Sequence, residues 1–165
     1  MKKIVVILGI IILVLSVYKQ EKVIIPKESI RLRIIANSDD LKDQELKKEI
    51  VSSLKNEIEK IENNKTIEDT RNYIKTNLSG IEEIVKNKLG NIDFKLEYGN
   101  NYFPEKEYKN IIYKEGEYES LVITLGKGAG ENFWCVLFPP ICLVDEEEVE
   151  YKSVIKEIID KYFPL

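Results

Sequence analysis

The chain has 165 residues, 44% of them apolar, which is the size and composition of one globular domain with a short appendage and excludes a disordered or collagen-like polymer. Lys and Arg number 25 against 29 Asp and Glu, a net charge of −4, so the balance gives no sign of a nucleic-acid partner. Histidine is absent, which removes Ser-His-Asp and Cys-His nucleophile activation, histidine-ligated metals and histidine pH switching together.

Lys2 and Lys3 precede an unbroken apolar run from Ile4 to Val17. As a helix this run would span about 21 Å, short of the roughly 30 Å hydrocarbon thickness of a bilayer. A positive start followed by a short apolar stretch is the pattern of an export signal. Residues 1–20 are therefore read as an export signal or membrane anchor, with membrane contact through residues 4–17. No A-x-A-like pair follows, since Val17 and Tyr18 stand where a peptidase requires small residues, so retention as a tether is an open alternative. A buried N-terminal helix is the competing reading, and the run is apolar on every side, without the amphipathic face such a helix needs. The remainder carries 22 basic and 29 acidic side chains, net −7. With its positive residues before the apolar run, the positive-inside bias keeps the N-terminus in the cytoplasm and sends the acidic remainder outward.

Residues 21–29 mix charge with Pro26 and read as a connector; residues 30–165 read as a single domain. Ile30 to Ala36 is predicted as the first strand, bounded by Asn37. Ser38 is expected to cap a helix beginning at Asp39, with Leu46, Ile50, Leu54, Ile58 and Ile61 on one face as far as Asn63-Asn64. Thr66 with Asp69 three residues later predicts a second helix, carrying Ile67, Ile74, Leu78, Ile81, Ile84, Val85 and Leu89 and closed by Gly90. Ser79-Gly80 leaves open whether it is broken in two.

Beyond Gly90 the period becomes two. Ile92, Phe94, Leu96 and Tyr98 alternate with charged residues, the pattern of a strand with one face in a core, and Gly99-Asn100-Asn101 is predicted to turn the chain. An irregular stretch begins at Phe103-Pro104, a short strand follows at Asn110 to Tyr113, and Lys114 to Gly116 turns again. Ser120 to Leu125 reads as a central strand. Gly126, Gly128 and Gly130 read as a hairpin connection into Phe133 to Phe138, a strand too apolar for an edge. Asp145 and Glu148 open a last helix with Tyr151, Val154, Ile155, Ile158, Ile159 and Tyr162 in one stripe. The order predicts an α+β fold: an antiparallel sheet of four to five strands with helices packed on one face.

Few motifs carry chemistry. Gly126 to Gly130 lacks the G-K-[ST] and G-x-G-x-x-G patterns and precedes a strand, so it is not a phosphate loop. Asp39-Asp40 and Glu146 to Glu148 sit at predicted helix starts, where acids complement the dipole, and read as backbone support rather than metal ligands. The sequons at Asn64 and Asn77 lie on or beside helices and are common by chance. Cys135 and Cys142 flank Val-Leu-Phe-Pro-Pro-Ile; the proline pair forces a turn that lets the thiols face one another at disulfide distance. Free buried thiols and a redox pair are the alternatives, and two thiols are too few for a zinc site.

Three blocks share a resemblance. GENFWCVLFPPIC, Gly130 to Cys142, is similar to the G-x-N-W-W-C-V-x-F-P-P-L-C hallmark of the stage II sporulation protein R family. GEYESLVITLGKG, from Gly116, and RLRIIANSDDLKDQELK, Arg31 to Lys47, resemble two further blocks of that family in the same order. Phe133 stands for a usual tryptophan, Arg33 for a common histidine, and Lys114-Glu115 for proline and alanine. The resemblance implies a sporulation signalling protein and not an enzyme, with no cofactor, no metal and no small-molecule substrate. It implies export from the forespore to the forespore membrane or the intermembrane space. There it would activate the membrane-embedded protease that processes pro-sigma-E in the mother cell. Candidate receptor-binding residues are Phe133, Trp134, Phe138, Pro139 and Pro140, with the Pro139-Pro140 turn expected to be the exposed part; the competing reading places Trp134 and Phe138 in the core. The rival functions are a membrane-tethered cell-envelope module recognising a glycan or lipid, and a thiol enzyme using Cys135 or Cys142.

Overall fold

The strand written IRLRII organises the molecule. In the computed structural model, which describes residues 23–108, 111–142 and 148–164, β2 (Ile30–Ile35) lies inside a four-stranded sheet. Its neighbours in space are β6 (Gly116–Leu125), which runs parallel to it, and β7 (Asn132–Phe138), which is antiparallel. β3 (Phe94–Phe103) pairs with the far side of β6, giving the order β3-β6-β2-β7.

Alternation decides what each face does. Ile30, Leu32 and Ile34 point to one side and are buried together with Leu121, Ile123 and Leu125 of β6. Two helices cover this face: α1 (Leu41–Glu62) through Ile50, Leu54, Ile58 and Ile61, and α2 (Ile67–Leu89) through Ile74, Ile81, Val85 and Leu89. The three- and four-residue spacing of these apolar positions puts them on one stripe of each helix. Each buried leucine or isoleucine contributes about 1.5–3 kcal/mol, so this layer is the main source of stability.

A second, smaller layer lies on the other side. β1 (Val23–Ile24) pairs in parallel with β5 (Ile111–Tyr113), and β4 (Lys106–Tyr108) pairs antiparallel with β5. Ile25, Ile111, Val136 and Ile141 form a second core with Ile155 of α3 (Glu148–Tyr162). Segment 21–29, read as a connector, thus supplies a strand and buried Ile25 and Ser29 from its described part. No helix of the described residues is long and apolar enough to cross a membrane. The expected leader at 1–20, Asn110 of the short strand, and the Asp145 helix start lie outside the described residues, as does the side chain of Tyr151.

The α+β class and the helix-covered sheet are as expected, and four local expectations are corrected. Gly99-Asn100-Asn101 does not turn: β3 pairs with β6 without interruption from Phe94 opposite Leu125 to Phe103 opposite Gly116. Asn101 Nδ2 donates to the Gly99 carbonyl at 3.2 Å and to Ser120 Oγ at 3.0 Å, so an amide suited to closing a turn instead ties two strands together. The glycines at 126–130 do not close a hairpin, because β2 lies between β6 and β7 and the connection crosses its end. β7 is an edge strand among the described residues; it is apolar because Phe133, Cys135 and Leu137 pack on the helix-covered core and Val136 on the second one. Helix α1 starts at Leu41 with Asp40 at its N-cap. Ser38, two residues before the cap position, accepts at Oγ from the Asp40 amide at 3.2 Å and donates to Asp43 Oδ2 at 2.6 Å.

The second helix settles as one piece. Thr66 Oγ1 accepts from the Asp69 amide at 3.1 Å, α2 runs unbroken through Gly80, and Gly90 ends it at a φ of +60°.

Candidate functional site

The three sequence blocks meet in space. The Asn37–Asp43 segment, which leads from β2 into α1, locks against the glycine connection that crosses its end. Asn37 Oδ1 accepts from the Lys127 amide at 2.9 Å, and Asn37 Nδ2 donates to Asp43 Oδ2 at 2.7 Å. The amides of Ala129 and Gly130 donate to the carbonyls of Asn37 and Ala36 at 3.1 and 3.0 Å. Asp39 Oδ1 accepts from the Glu131 amide at 2.7 Å, so this acid ties two segments instead of supporting a helix start. Lys47, nearly buried on α1, donates to the Glu131 carbonyl at 2.8 Å and to Gln44 Oε1 at 2.6 Å. Burial pushes its ammonium pKa down while Glu131 and Asp39 pull it back up. Gly130 is required here because a Cβ would overlap the Ser38 carbonyl, and Gly126 because a Cβ would overlap the Asn37 side chain at a φ of +52°. The glycine motif is a structural lock, not a phosphate cradle.

The disulfide turn lies at the opposite end of β7. Cys135 and Cys142 are bonded with Cα atoms 5.1 Å apart, which leaves no free cysteine in the chain. Closing this short loop stabilises the fold by about 2.5 kcal/mol in the chain-entropy account. The Phe138-Pro139 peptide is cis, and the Ile141 amide donates to the Val136 carbonyl at 3.2 Å. Phe138 is buried, packed edge-on by Tyr162 at 5.0 Å and Phe163 at 6.2 Å, and Pro139 is buried beside it. The expectation that the Pro139-Pro140 turn is exposed is therefore corrected: Pro139 is buried and Pro140 half-buried. Phe133 is half-buried against the helix-covered core, and Trp134, one residue on, points to the other face.

Trp134 belongs to a cluster that residue-by-residue reading of the sequence did not find. On the face opposite the helices, Arg31 and Arg33 of β2 stand among Phe103, Tyr118 and Trp134. The Arg31 guanidinium carbon lies 3.3 Å from the Tyr118 ring centroid and 5.4 Å from that of Phe103; that of Arg33 lies 5.0 Å from Trp134. Lys106, exposed on β4, places Nζ 5.5 Å from the same indole, and the Phe103 ring meets it edge-on at 5.1 Å. Arg31 is only 1% exposed. Its Nε donates to Ser29 Oγ at 3.4 Å, while Nη1 and Nη2, with Nε of Arg33, have no hydrogen-bond partner.

That arrangement is costly. Burial pushes both guanidinium pKa values below the ordinary arginine range; Tyr118 and Tyr113 pull that of Arg31 part of the way back, and no carboxylate does so for either. Desolvating such an ion costs several kcal/mol, whereas a desolvated cation–π contact returns about 2 kcal/mol. The aromatic rings thus offset only part of what the arginines lose. The signal in the sequence that could have found these arginines is the aromatic trio Phe103, Tyr118 and Trp134 at positions that strand pairing brings to the same face.

The model of the family described as Stage II sporulation protein R (spore_II_R) matches residues 26–148. The chain is 39% identical over 148 residues to Stage II sporulation protein R of Bacillus subtilis (strain 168), an alignment covering 87% of this chain and 65% of that protein. The chain thus belongs to the stage II sporulation protein R family, and it spans 65% of the length of the curated relative it matches. No solved structure matches it.

Proposed function

We propose that this chain is an intercompartmental sporulation signal, exported from the forespore to the space between forespore and mother cell. There it activates the membrane-embedded protease that processes pro-sigma-E. The observation that carries this reading is membership of the stage II sporulation protein R family across residues 26–148. The sequence supports export through Lys2, Lys3 and the apolar run to Val17, in the orientation that delivers the acidic domain outward. On this reading the domain acts by being recognised and turns over no substrate of its own.

The surface offered to the protease is centred on Trp134. Phe138 and Pro139 are covered by the chain itself and act by holding β7 in place, so the contact passes from the proline turn to the adjacent indole and the cations that flank it.

The test is to produce the full chain in vegetative cells that also make the protease and pro-sigma-E, and to follow shortening of the pro-form on a gel. Processing should require the chain and should be lost when Ile11→Lys interrupts the apolar run. Undiminished processing by an Ile11→Lys chain that stays in the producing cytoplasm would overturn the export step, and no processing with the intact chain would overturn activation.

A further inference from the structure

The arginine–aromatic cluster stands apart in an acidic domain. Arg33 and Lys106 lie over the Trp134 indole and Arg31 over the neighbouring Tyr118 and Phe103 rings, and among the described residues no carboxylate reaches the guanidinium of Arg31 or Arg33. Elsewhere in the fold, buried or half-buried cations are supplied with oxygen partners: Arg71 by Glu119, and Lys47 by Gln44 and the Glu131 carbonyl. A cation placed inside a fold without its counter-charge is stable only at a cost, and the missing partner is complementary in charge and geometry. The planar fork of a guanidinium matches a carboxylate with two parallel hydrogen bonds.

We propose that the Arg31–Arg33–Lys106 cluster around Trp134 is a carboxylate-binding site, which takes an aspartate or glutamate side chain of an acidic segment of the protein partner. Arg33 is half-buried and Lys106 exposed, so these two meet the incoming acid at the indole, while Arg31 lies behind them as a fixed positive charge held over Tyr118 and Phe103. The aromatic walls exclude water, which strengthens the ion pair once it forms. The identity of the partner rests on the reading of this protein as a protease activator; the carboxylate chemistry of the site does not.

Trp134 is the one tryptophan of the chain, so its fluorescence reports on this site alone. The probes are a nine-residue peptide with three glutamates, the same peptide with glutamines, and sodium sulfate, each added to the full chain in a nonionic detergent at fixed ionic strength. The glutamate peptide should change the Trp134 emission saturably, and the glutamine peptide and sulfate should act at least tenfold more weakly. Arg33→Gln should remove the response. Arg31→Met should remove it as well and should keep or raise the melting temperature, because the variant no longer buries an unpaired charge. An equal response to the glutamine peptide or to sulfate, no response to any probe, or an Arg31→Met chain that melts earlier yet still responds would each overturn the assignment. Should Arg31→Met fail to fold, Arg33→Gln decides alone. None of these readouts uses the protease, so a failure here is distinct from a failure of activation.

Discussion

The two faces of the central sheet solve the same problem in opposite ways. On the helix-covered face apolar and charged side chains are matched: Ile30, Leu32 and Ile34 meet apolar helix stripes, and Glu119 accepts from Arg71 Nε and Nη2 at 2.8 and 2.7 Å and from the Tyr98 hydroxyl at 2.5 Å. On the other face, one residue away along the same strand, Arg31 is equally buried and its terminal nitrogens have no hydrogen-bond partner. A face whose charges are paired is built for stability, even though one buried hydroxyl on it, Thr70 Oγ1, has no hydrogen-bond partner. A face that holds an unneutralised charge in place is built to meet something, and the domain can carry the second because the first is so complete.

The contrast is sharpest between neighbours. Leu32 is 1% exposed and sits between Leu121 and Cys135 in register, so Leu32→Ala should lower the unfolding free energy by about 2–5 kcal/mol, measured by chemical denaturation. A loss under about 1 kcal/mol would mean that the helix-covered layer collapses around the cavity and does not carry the fold as argued here.

The lock at the end of β2 serves both faces, since it fixes the connection that carries β7 across the strand. Gly130→Ala should cost about 1–3 kcal/mol because the added methyl meets the Ser38 carbonyl, a backbone atom that cannot step aside. The same substitution at Gly80, where nothing lies within 4 Å and the backbone is helical, should be neutral or stabilising. Equal effects at the two glycines, read from melting curves, would show that the crossover is not held by close packing.

What could be read in the sequence follows the same division. Helix stripes, the Thr66 cap, the Gly90 stop and the central position of β6 were legible because each rests on local spacing that tertiary contacts reinforce. The straight run through Gly99 to Asn101, the crossover at Gly126 to Gly130 and the edge position of β7 were not, because each depends on which strands become neighbours. Local turn chemistry cannot show that Asn101 will bind Ser120 across a strand pair. The cysteine pair was legible from the prolines between them, whereas the burial of Phe138 depends on Tyr162 and Phe163, which reach it from the far end of the chain. The arginines were hidden for the plainest reason: alternation shows that Arg31 and Arg33 share a face, and only the fold shows that β1, β4 and β5 come to lie over it.

The smallest effect tests whether charge on the helix-covered face is as fully satisfied as its apolar side chains. Hydrogen bonds from Arg71, and then from Tyr98, hold the Glu119 carboxyl below the ordinary glutamate value of 4.5. A carboxyl whose pKa is lower in the folded chain adds stability at pH values above its unfolded value and loses it as pH falls through the folded one. Glu119→Gln should therefore be less stable than the parent at pH 7, and the gap should narrow as the pH drops below about 4.5, which denaturant titrations at pH 7, 4.5 and 3 would follow. The effect is modest because Arg71 and Glu119 are partly exposed, with side chains 25% and 22% accessible, and salt should reduce it further. A gap that stays constant across the pH range would mean that Glu119 contributes through packing alone, and that the helix-covered face owes nothing to paired charge.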